Sequence, residues 1–232
     1  MEFSLVIPTY NNLEELRGCL NALQRLENKD FEVHICIDGS TDGTEDALKS
    51  VNFGFPLYLH THPGNQNRGR SAARNLALPH LKGVYALFLD SDMLAAPDLL
   101  DQHLAVLSKG NTASIGFVVY RNLHENIWAR YTSERGVGKF KQGDAVPFHY
   151  FITPNTAIPT EWFRATGGFD ERINRYGGED MELGFRIQEQ FHPKFIFNRN
   201  AKVFTVQDKS LDAALSQLKE YGQSGLPYLI HK

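Results

Sequence analysis

Apolar residues in the first half of the chain follow two alternating rhythms. Phe3-Ser4-Leu5-Val6-Ile7 is a short β-rich run stopped by Pro8, after which Leu13, Leu16, Leu20 and Leu23 recur at helical spacing. Phe31 to Ile37 predicts a second strand, ended by the turn Asp38-Gly39-Ser40. A helix over Gly43 to Ser50 comes next, with Asp42 and Glu45 arranged as a capping-box variant. Pro56 to Thr61 reads as a third strand, Arg70 to Leu81 as a helix, and Val84 to Leu89 as a nearly continuous apolar strand. Strands alternating with helices predict an α/β fold with a mostly parallel sheet covered on both faces, and the unbroken apolarity of 84–89 suits a central strand. In such sheets ligands lie beyond the carboxyl ends of the strands, so functional residues should come directly after strands.

The second half is less regular. Pro97 to Leu107 predicts a helix and Ala113 to Tyr120 a strand. Asn122 to Val146, carrying Arg130, Arg135, Lys139 and Lys141, has the chemistry of a mobile surface segment and is expected to help choose an acceptor. Ile152 to Pro159, Phe195 to Phe197 and Val203 to Val206 read as short strands around a helix at Glu182 to Gln190. Leu211, Ala214, Leu215, Leu218 and Tyr221 form one face of a terminal helix. That face could pack on the core, mediate homodimer formation or touch a membrane surface, and packing is the default. No internal repeat or low-complexity stretch interrupts the pattern.

Composition narrows the classes. The 232 residues are 42% hydrophobic and 22% charged, a globular composition that suits one domain. Lys+Arg 24 against Asp+Glu 27 gives a net charge of -3, which predicts no nucleic-acid partner. Two cysteines, Cys19 and Cys36, make no disulfide framework and sit in apolar patterns that argue against a catalytic thiol. Neither a basic leader nor an apolar run long enough to cross a membrane is visible, so the expectation is a cytoplasmic protein.

Several strand ends carry polar strings, each with two readings. Pro8-Thr9-Tyr10-Asn11 is either a nucleotide platform, with the Tyr10 ring beside a base, or a strand end followed by a helix cap. Asp38-Gly39-Ser40-Thr41-Asp42-Gly43 is explained by turn chemistry except for Asp38, which could accept a base N–H. Asn67-Arg68-Gly69-Arg70 opens a helix that also holds Arg74 and Asn75. Guanidinium groups and free amides there favour a phosphate, although arginines on a solvated helix face are ordinary. Asp90-Ser91-Asp92 comes directly after the apolar strand. Two carboxylates two residues apart share one side of a strand and are costly there unless a cation lies between them, which suits Mg2+ or Mn2+ beside a substrate phosphate. Gly177-Gly178-Glu179-Asp180 starts a helix, where acidic residues are stabilising in any case; the functional reading makes Asp180 a general base. His60 and His62 lack a third ligand. Dinucleotide, P-loop and serine-elbow motifs are absent.

In order and spacing these strings, continued by Gly167-Gly168-Phe169-Asp170-Glu171 and Gly178-Glu179-Asp180-Met181-Glu182-Leu183 with Arg186, resemble the family 2 glycosyltransferases. The resemblance implies a GT-A fold: a Rossmann-like, mostly parallel central sheet flanked by helices, with a smaller acceptor-side subregion. A single domain over 1–232 would comprise a nucleotide-sugar half (1–110), an acceptor half (111–206) and a C-terminal helix (207–232). The implied activity is inverting transfer from a nucleotide-sugar donor, usually a UDP-sugar, to a hydroxyl of a glycan or other acceptor, as in polysaccharide biosynthesis. Carried over by position, Pro8, Thr9, Tyr10 and Asp38 would hold the nucleoside, Asn67 would belong to the same nucleotide-sugar site, and Arg68 or Arg74 would help with base and diphosphate. Asp90 and Ser91 would lie near ribose and metal, with Asp92 the principal ligand of Mn2+ or Mg2+. Asp180, or else Glu179, would be the base, and Asn155, Trp162 and Gly178 would shape the sugar and acceptor pocket.

Two positions depart from the family pattern. Ile37 stands where many members have an aspartate before Asp38, and Thr205 stands where many carry a histidine metal ligand. The metal would then rest on Asp92 and the diphosphate alone, or on a further residue. Two other classes compete: a non-catalytic nucleotide-sugar-binding domain, and a sugar nucleotidyltransferase, which would need a Gly-rich basic loop after the first strand.

Overall fold

The computed structural model describes residues 1–123 and 125–231. Its strands are β1 (Phe3–Thr9), β2 (Phe31–Ile37), β3 (Leu57–Thr61), β4 (Tyr85–Leu89), β5 (Met93–Ala95), β6 (Thr112–Val119), β7 (Ala145–Val146), β8 (Asn155–Pro159) and β9 (Lys194–Thr205). Its α-helices are α1 (Leu13–Leu23), α2 (Thr44–Lys49), α3 (Arg70–Asn75), α4 (Leu99–Leu107), α5 (Ile127–Arg135), α6 (Thr160–Ala165), α7 (Glu179–Phe191), α8 (Leu211–Gln223) and α9 (Gly225–Ile230).

The strands form one sheet in the order β3-β2-β1-β4-β8-β6-β9-β5, with β7 paired to β9. Pairing is parallel from β3 to β4 and between β6 and β9, and antiparallel around β8 and at β5 and β7. Parallel pairing therefore dominates by length, and each crossover helix packs back on a sheet face. One face carries Leu16, Leu20 and Leu23 of α1 with Leu99 and Leu100 of α4. The other carries Ala73 of α3, Trp162 and Phe163 of α6, and Leu183 and Ile187 of α7. With apolar layers on both sides the inner strands have no solvent face, which is why β1 and β4 read as near-continuous apolar runs.

Several elements differ from the sequence pattern. The helix expected over Arg70 to Leu81 ends at Asn75, because Pro79 starts a separate 3-10 turn at Leu78–His80. The expected strands at 195–197 and 203–206 are one strand, β9, whose pairing with β6 shifts register between Gly116 and Phe117. β5 was not expected. Asp42 and Glu45 form no capping box: Asp42 accepts from the Leu13 N–H at 3.0 Å and the Thr44 hydroxyl at 2.6 Å, tying the starts of α1 and α2, while Glu45 pairs with Lys49 at 2.9 Å.

The 122–146 segment is more ordered than its composition suggests. It holds α5, capped by Asn126, whose side chain accepts from Trp128 and Ala129 N–H. Arg199 clasps its far end through the Gly138 and Phe140 carbonyls at 2.6 and 2.8 Å. His124 lies outside the described residues.

Candidate active site

The register of the parallel strands brings their carboxyl ends to one edge. Thr9 pairs with Ile37 and Val6 with Phe88, so Tyr10, Asp38 and Asp90 emerge side by side. A cavity of about 590 Å³ opens there. Pro8, Thr9, Tyr10 and Asn12 line it from the end of β1, and Asp38 from β2. Asn67, Gly69, Arg70 and Arg74 line it from the start of α3, and Asp90, Ser91 and Asp92 from the turn after β4. The opposite wall is Asn174 to Tyr176 with Gln217 and Glu220 of α8. Pro8 and Thr9 close β1, Tyr10, Asp38 and Asp90 directly follow strands, and Asn67 to Arg74 lead into and form α3, so the cavity lies at the carboxyl edge of the sheet.

The wall from the end of β2 to the start of α3 is tightly built. The buried Asp38 carboxylate accepts from the Arg68 and Gly69 backbone N–H groups at 2.7 and 2.9 Å, and His62 Nε2 lies 3.4 Å away. Gly69 has φ +88°, and a Cβ there would sit 2.6 Å from the Asn174 carbonyl oxygen, so only glycine lets the two walls meet. The Thr9 hydroxyl is buried without a hydrogen-bond partner among the described residues, whereas the Tyr10 ring is 52% exposed at the cavity mouth.

Of the two arginines expected near the diphosphate, Arg68 turns outward to Glu171 at 3.3 Å and does not line the cavity. Arg70 lines it instead, its guanidinium 5.1 Å from the Tyr176 ring centroid and 3.8 Å from Glu179. Arg70 and Arg74, four apart, share one face of α3; that spacing was the available signal for Arg70. Gln217 and Glu220 gave no signal beyond the polar side of an amphipathic helix.

Four carboxylates gather around two guanidinium groups. Asp90 accepts from Arg74 Nη2 at 2.9 Å, and Glu179 lies 3.6 Å from Arg74 Nη1. Burial, reinforced by the charge of Asp90, pushes the Asp92 carboxyl up to about 6. Asp180, half-buried, accepts from the Thr153 hydroxyl at 2.9 Å and its N–H at 3.2 Å. Burial and the neighbouring Glu179 charge push its carboxyl up to about 7, against the pull of Arg74 and the Thr153 hydrogen bond.

The repulsion between Asp90 and Asp92 is what a divalent cation would relieve, so these residues fit one. Among the described residues no group of three His, Cys, Asp or Glu forms a complete site. Thr205 lies close to Asp92, since Met93 pairs with it in the sheet and the Val206 N–H donates to the Asp92 carbonyl at 3.0 Å. Its hydroxyl donates to Asp208 at 2.5 Å, and Asp208 also accepts the Arg121 and Asn122 N–H groups at 3.2 and 2.6 Å. These contacts use Thr205 and Asp208 to hold the 121–122 turn.

The three residues expected in the sugar and acceptor pocket do not line this cavity. Asn155 is fully buried, its amide oxygen accepting from His103 Nε2 at 2.8 Å and its amide nitrogen donating to the Ala201 carbonyl at 2.9 Å. It fills the space beside Gly116, where a Cβ would come 2.2 Å from its amide. Trp162 is a core residue stacked on Phe191 at 5.3 Å. Gly178, at φ +97°, faces Leu229 of α9 and Tyr221 of α8.

Comparison with known proteins agrees with this geometry. The family model "Glycosyl transferase family 2" matches residues 4–167, and the model "N-terminal domain of galactosyltransferase" matches residues 143–205. An uncharacterized glycosyltransferase of Bacillus subtilis (strain 168) is 27% identical, over 82% of this chain and 61% of its own. Validoxylamine A glucosyltransferase of Streptomyces hygroscopicus subsp. jinggangensis is 28% identical, over 93% of this chain and 58% of its own. The chain thus spans less than two thirds of the length of these relatives. Among solved structures, a mannosyltransferase from Pyrobaculum calidifontis in complex with GDP-Man and Mn2+ superposes with a TM-score of 0.75 at 21% identity, covering 100% of this chain and 64% of that one. S. aureus TarS in complex with UDP-GlcNAc superposes with a TM-score of 0.71 at 18% identity, covering 92% and 61%. The chain belongs to glycosyl transferase family 2.

Proposed function

From membership of glycosyl transferase family 2 we infer that the chain transfers a sugar from a nucleotide-sugar donor, a UDP-sugar by preference, to an acceptor hydroxyl with inversion at the anomeric carbon. The observation that carries this reading is the cavity at the carboxyl edge of the sheet. Asp90 and Asp92 line it together with Arg70 and Arg74, and Asp180, which does not itself line it, carries a carboxyl pushed up to about 7 by burial and the neighbouring Glu179.

In this reading Tyr10 lies against the base, while Asp38 holds the 67–69 loop through two backbone N–H groups and leaves lone pairs for a base N–H. Asp90 and Asp92 would hold Mn2+ or Mg2+, and a cation bound there would supply charge neutralisation to the diphosphate leaving group. Arg70, on the cavity wall, adds a fixed positive charge for the same phosphates. Asp180 takes the proton from the acceptor hydroxyl. A base titrating near 7 combines a charged form at neutral pH with real proton affinity, which an ordinary surface aspartate lacks. Attack from the face opposite the diphosphate then inverts the anomeric centre. The Pyrobaculum mannosyltransferase, solved with GDP-Man and Mn2+, and TarS, solved with UDP-GlcNAc, support a nucleotide-sugar donor.

The test is release of nucleoside diphosphate from UDP-, GDP- and dTDP-sugars with Mn2+, Mg2+ or EDTA, with and without simple sugar acceptors. Metal-stimulated, acceptor-dependent release from one donor, lost in Asp180→Asn, is the expected result. Tight UDP binding with no release, unchanged by Asp180→Asn, would instead mark a nucleotide-sugar-binding domain, and no binding would overturn the reading.

A further inference from the structure

Lys209 stands between the end of β9 and the start of α8. The backbone around it is tied down on both sides. Thr205 and Asp208 hold each other and the 121–122 turn. The Asn126 side-chain amide donates to the Lys209 carbonyl at 2.9 Å, and the Ser210 hydroxyl accepts the Ala213 N–H at 3.2 Å to cap α8. Thr205, at the position where the family pattern has a histidine, thus anchors a turn that carries a cation.

The Lys209 ammonium meets residues of the cavity lining. Its Nζ donates to the Gln217 side-chain oxygen and lies 5.3 Å from the Tyr176 ring centroid, and Gln217 and Tyr176 both line the cavity. Arg70, also on the lining, has its guanidinium carbon 5.1 Å from the same ring. Two cations are therefore gathered around one tyrosine, in a cavity whose first wall ends in Asp90 and Asp92. An aromatic face attracts each cation but does not remove the repulsion between them, as an anion would. The hydrogen-bond partner of Nζ is a neutral amide, so the ammonium keeps N–H groups for further acceptors. Phosphate oxygens would replace a neutral acceptor by a charged one, and such bonds are about twice as strong.

We propose that Lys209 is a binding residue for the donor diphosphate, reaching it from the α8 side of the cavity as Arg70 does from α3. The inference rests on the nucleotide-sugar donor of the proposed function. A lysine is a point charge on a flexible stem, so the ammonium can leave the Gln217 amide for the phosphate oxygens while its backbone stays fixed. Gln217 holds it in place until the diphosphate is bound. The charge of the leaving group is then met from two sides, by Arg70 and Lys209 on one and by the Asp90–Asp92 site on the other. A lysine that served only to fasten α8 through Gln217 would affect every ligand of the cavity alike; a diphosphate ligand affects those that carry phosphate.

The experiment measures UDP affinity by calorimetry with Mn2+ and with EDTA, inorganic pyrophosphate affinity in EDTA, and uridine affinity by NMR titration. Wild type, Lys209→Gln and Lys209→Arg are compared. Lys209→Gln should weaken UDP and pyrophosphate about tenfold or more and leave uridine within about twofold of wild type, while Lys209→Arg, which keeps the charge, should retain most of the UDP affinity. UDP and pyrophosphate affinities unchanged in Lys209→Gln would overturn the proposal. So would a uridine affinity that falls in step with that of UDP, which would give Lys209 a structural role. A wild type that binds pyrophosphate through Lys209 but no UDP under either condition would uphold the anion site while removing the donor reading. A wild type that binds neither would overturn both.

Discussion

Replacing Asp180 with asparagine should abolish turnover and stabilise the fold, and the second effect should depend on pH. The Asp180 carboxyl rises from an ordinary 3.8 to about 7 because burial and Glu179 oppose its charge. A carboxyl raised on folding makes the folded state bind the proton more tightly than the unfolded state. Stability is therefore lost progressively as pH climbs from about 4 to about 7, and the cost is fully present above that. At 1.36 kcal/mol per tenfold in proton affinity the ceiling is about 4 kcal/mol; the partial solvent exposure of Asp180 and the adjoining Glu179 charge bring the expected figure to about 1–2 kcal/mol. Asparagine carries no charge, has the same shape, and can still accept the Thr153 N–H while donating to its hydroxyl. Urea denaturation in EDTA at pH 5 and pH 8.5 should find the variant near wild type at the lower pH and more stable at the higher. That gain corresponds to about 2–4 °C in Tm per kcal/mol for a chain of this size. A stability difference that does not change with pH, or a loss at pH 8.5, would refute the account of Asp180.

Other substitutions probe the walls. Arg70→Ala should weaken UDP binding at least tenfold by calorimetry while Arg68→Ala, whose side chain pairs with Glu171 at the surface, changes it less than about twofold, roughly the worth of an exposed ion pair. Gly69→Ala places a methyl group 2.6 Å from the Asn174 carbonyl oxygen at a positive φ and should cost about 1–3 kcal/mol in denaturant titration, with weaker nucleotide binding. Asn155→Ala strands His103 and the Ala201 carbonyl and should cost about 2–4 kcal/mol while leaving the donor KM of the folded fraction unchanged. Asp92→Asn should raise the Kd for Mn2+ at least tenfold by calorimetry in the presence of UDP, and a Kd equal to wild type would remove Asp92 from the metal site.

The parallel half of the fold was legible because its pattern is local. Each strand from β1 to β4 leads within a few residues into the turn that carries its chemistry, so Tyr10, Asp38 and Asp90 could be found at the ends of apolar runs. The antiparallel half was not, because its elements are defined by partners far away in sequence. β5 is three residues long and exists only through β9, and β9 reads as two strands because Asn198 to Asn200 interrupt its apolar pattern at the register shift. Asn155 and Trp162 show the same limit at the level of side chains. Both were carried to the pocket by their position in the family pattern, yet the structure packs them in the buried polar cluster around His103 and the stack on Phe191. For Arg68 and Arg70 the pattern marked the string but not which arginine faces the cavity, because Gly69 turns the chain between them.

β9 has a consequence for how the chain matures on the ribosome. The order β3-β2-β1-β4 uses only residues before 90, and its crossovers are short, so this half can form while the remainder is still being made. β5, which begins just after Asp92, has its sheet partner at Val203–Thr205, more than a hundred residues later. Asp90, at the end of β4 and bound by Arg74, is placed early, whereas Asp92 precedes a segment that stays unpaired through most of synthesis and is fixed only when β9 arrives. A nascent chain halted before residue 205 would have β1 to β4 paired and β5 still without its partner strand.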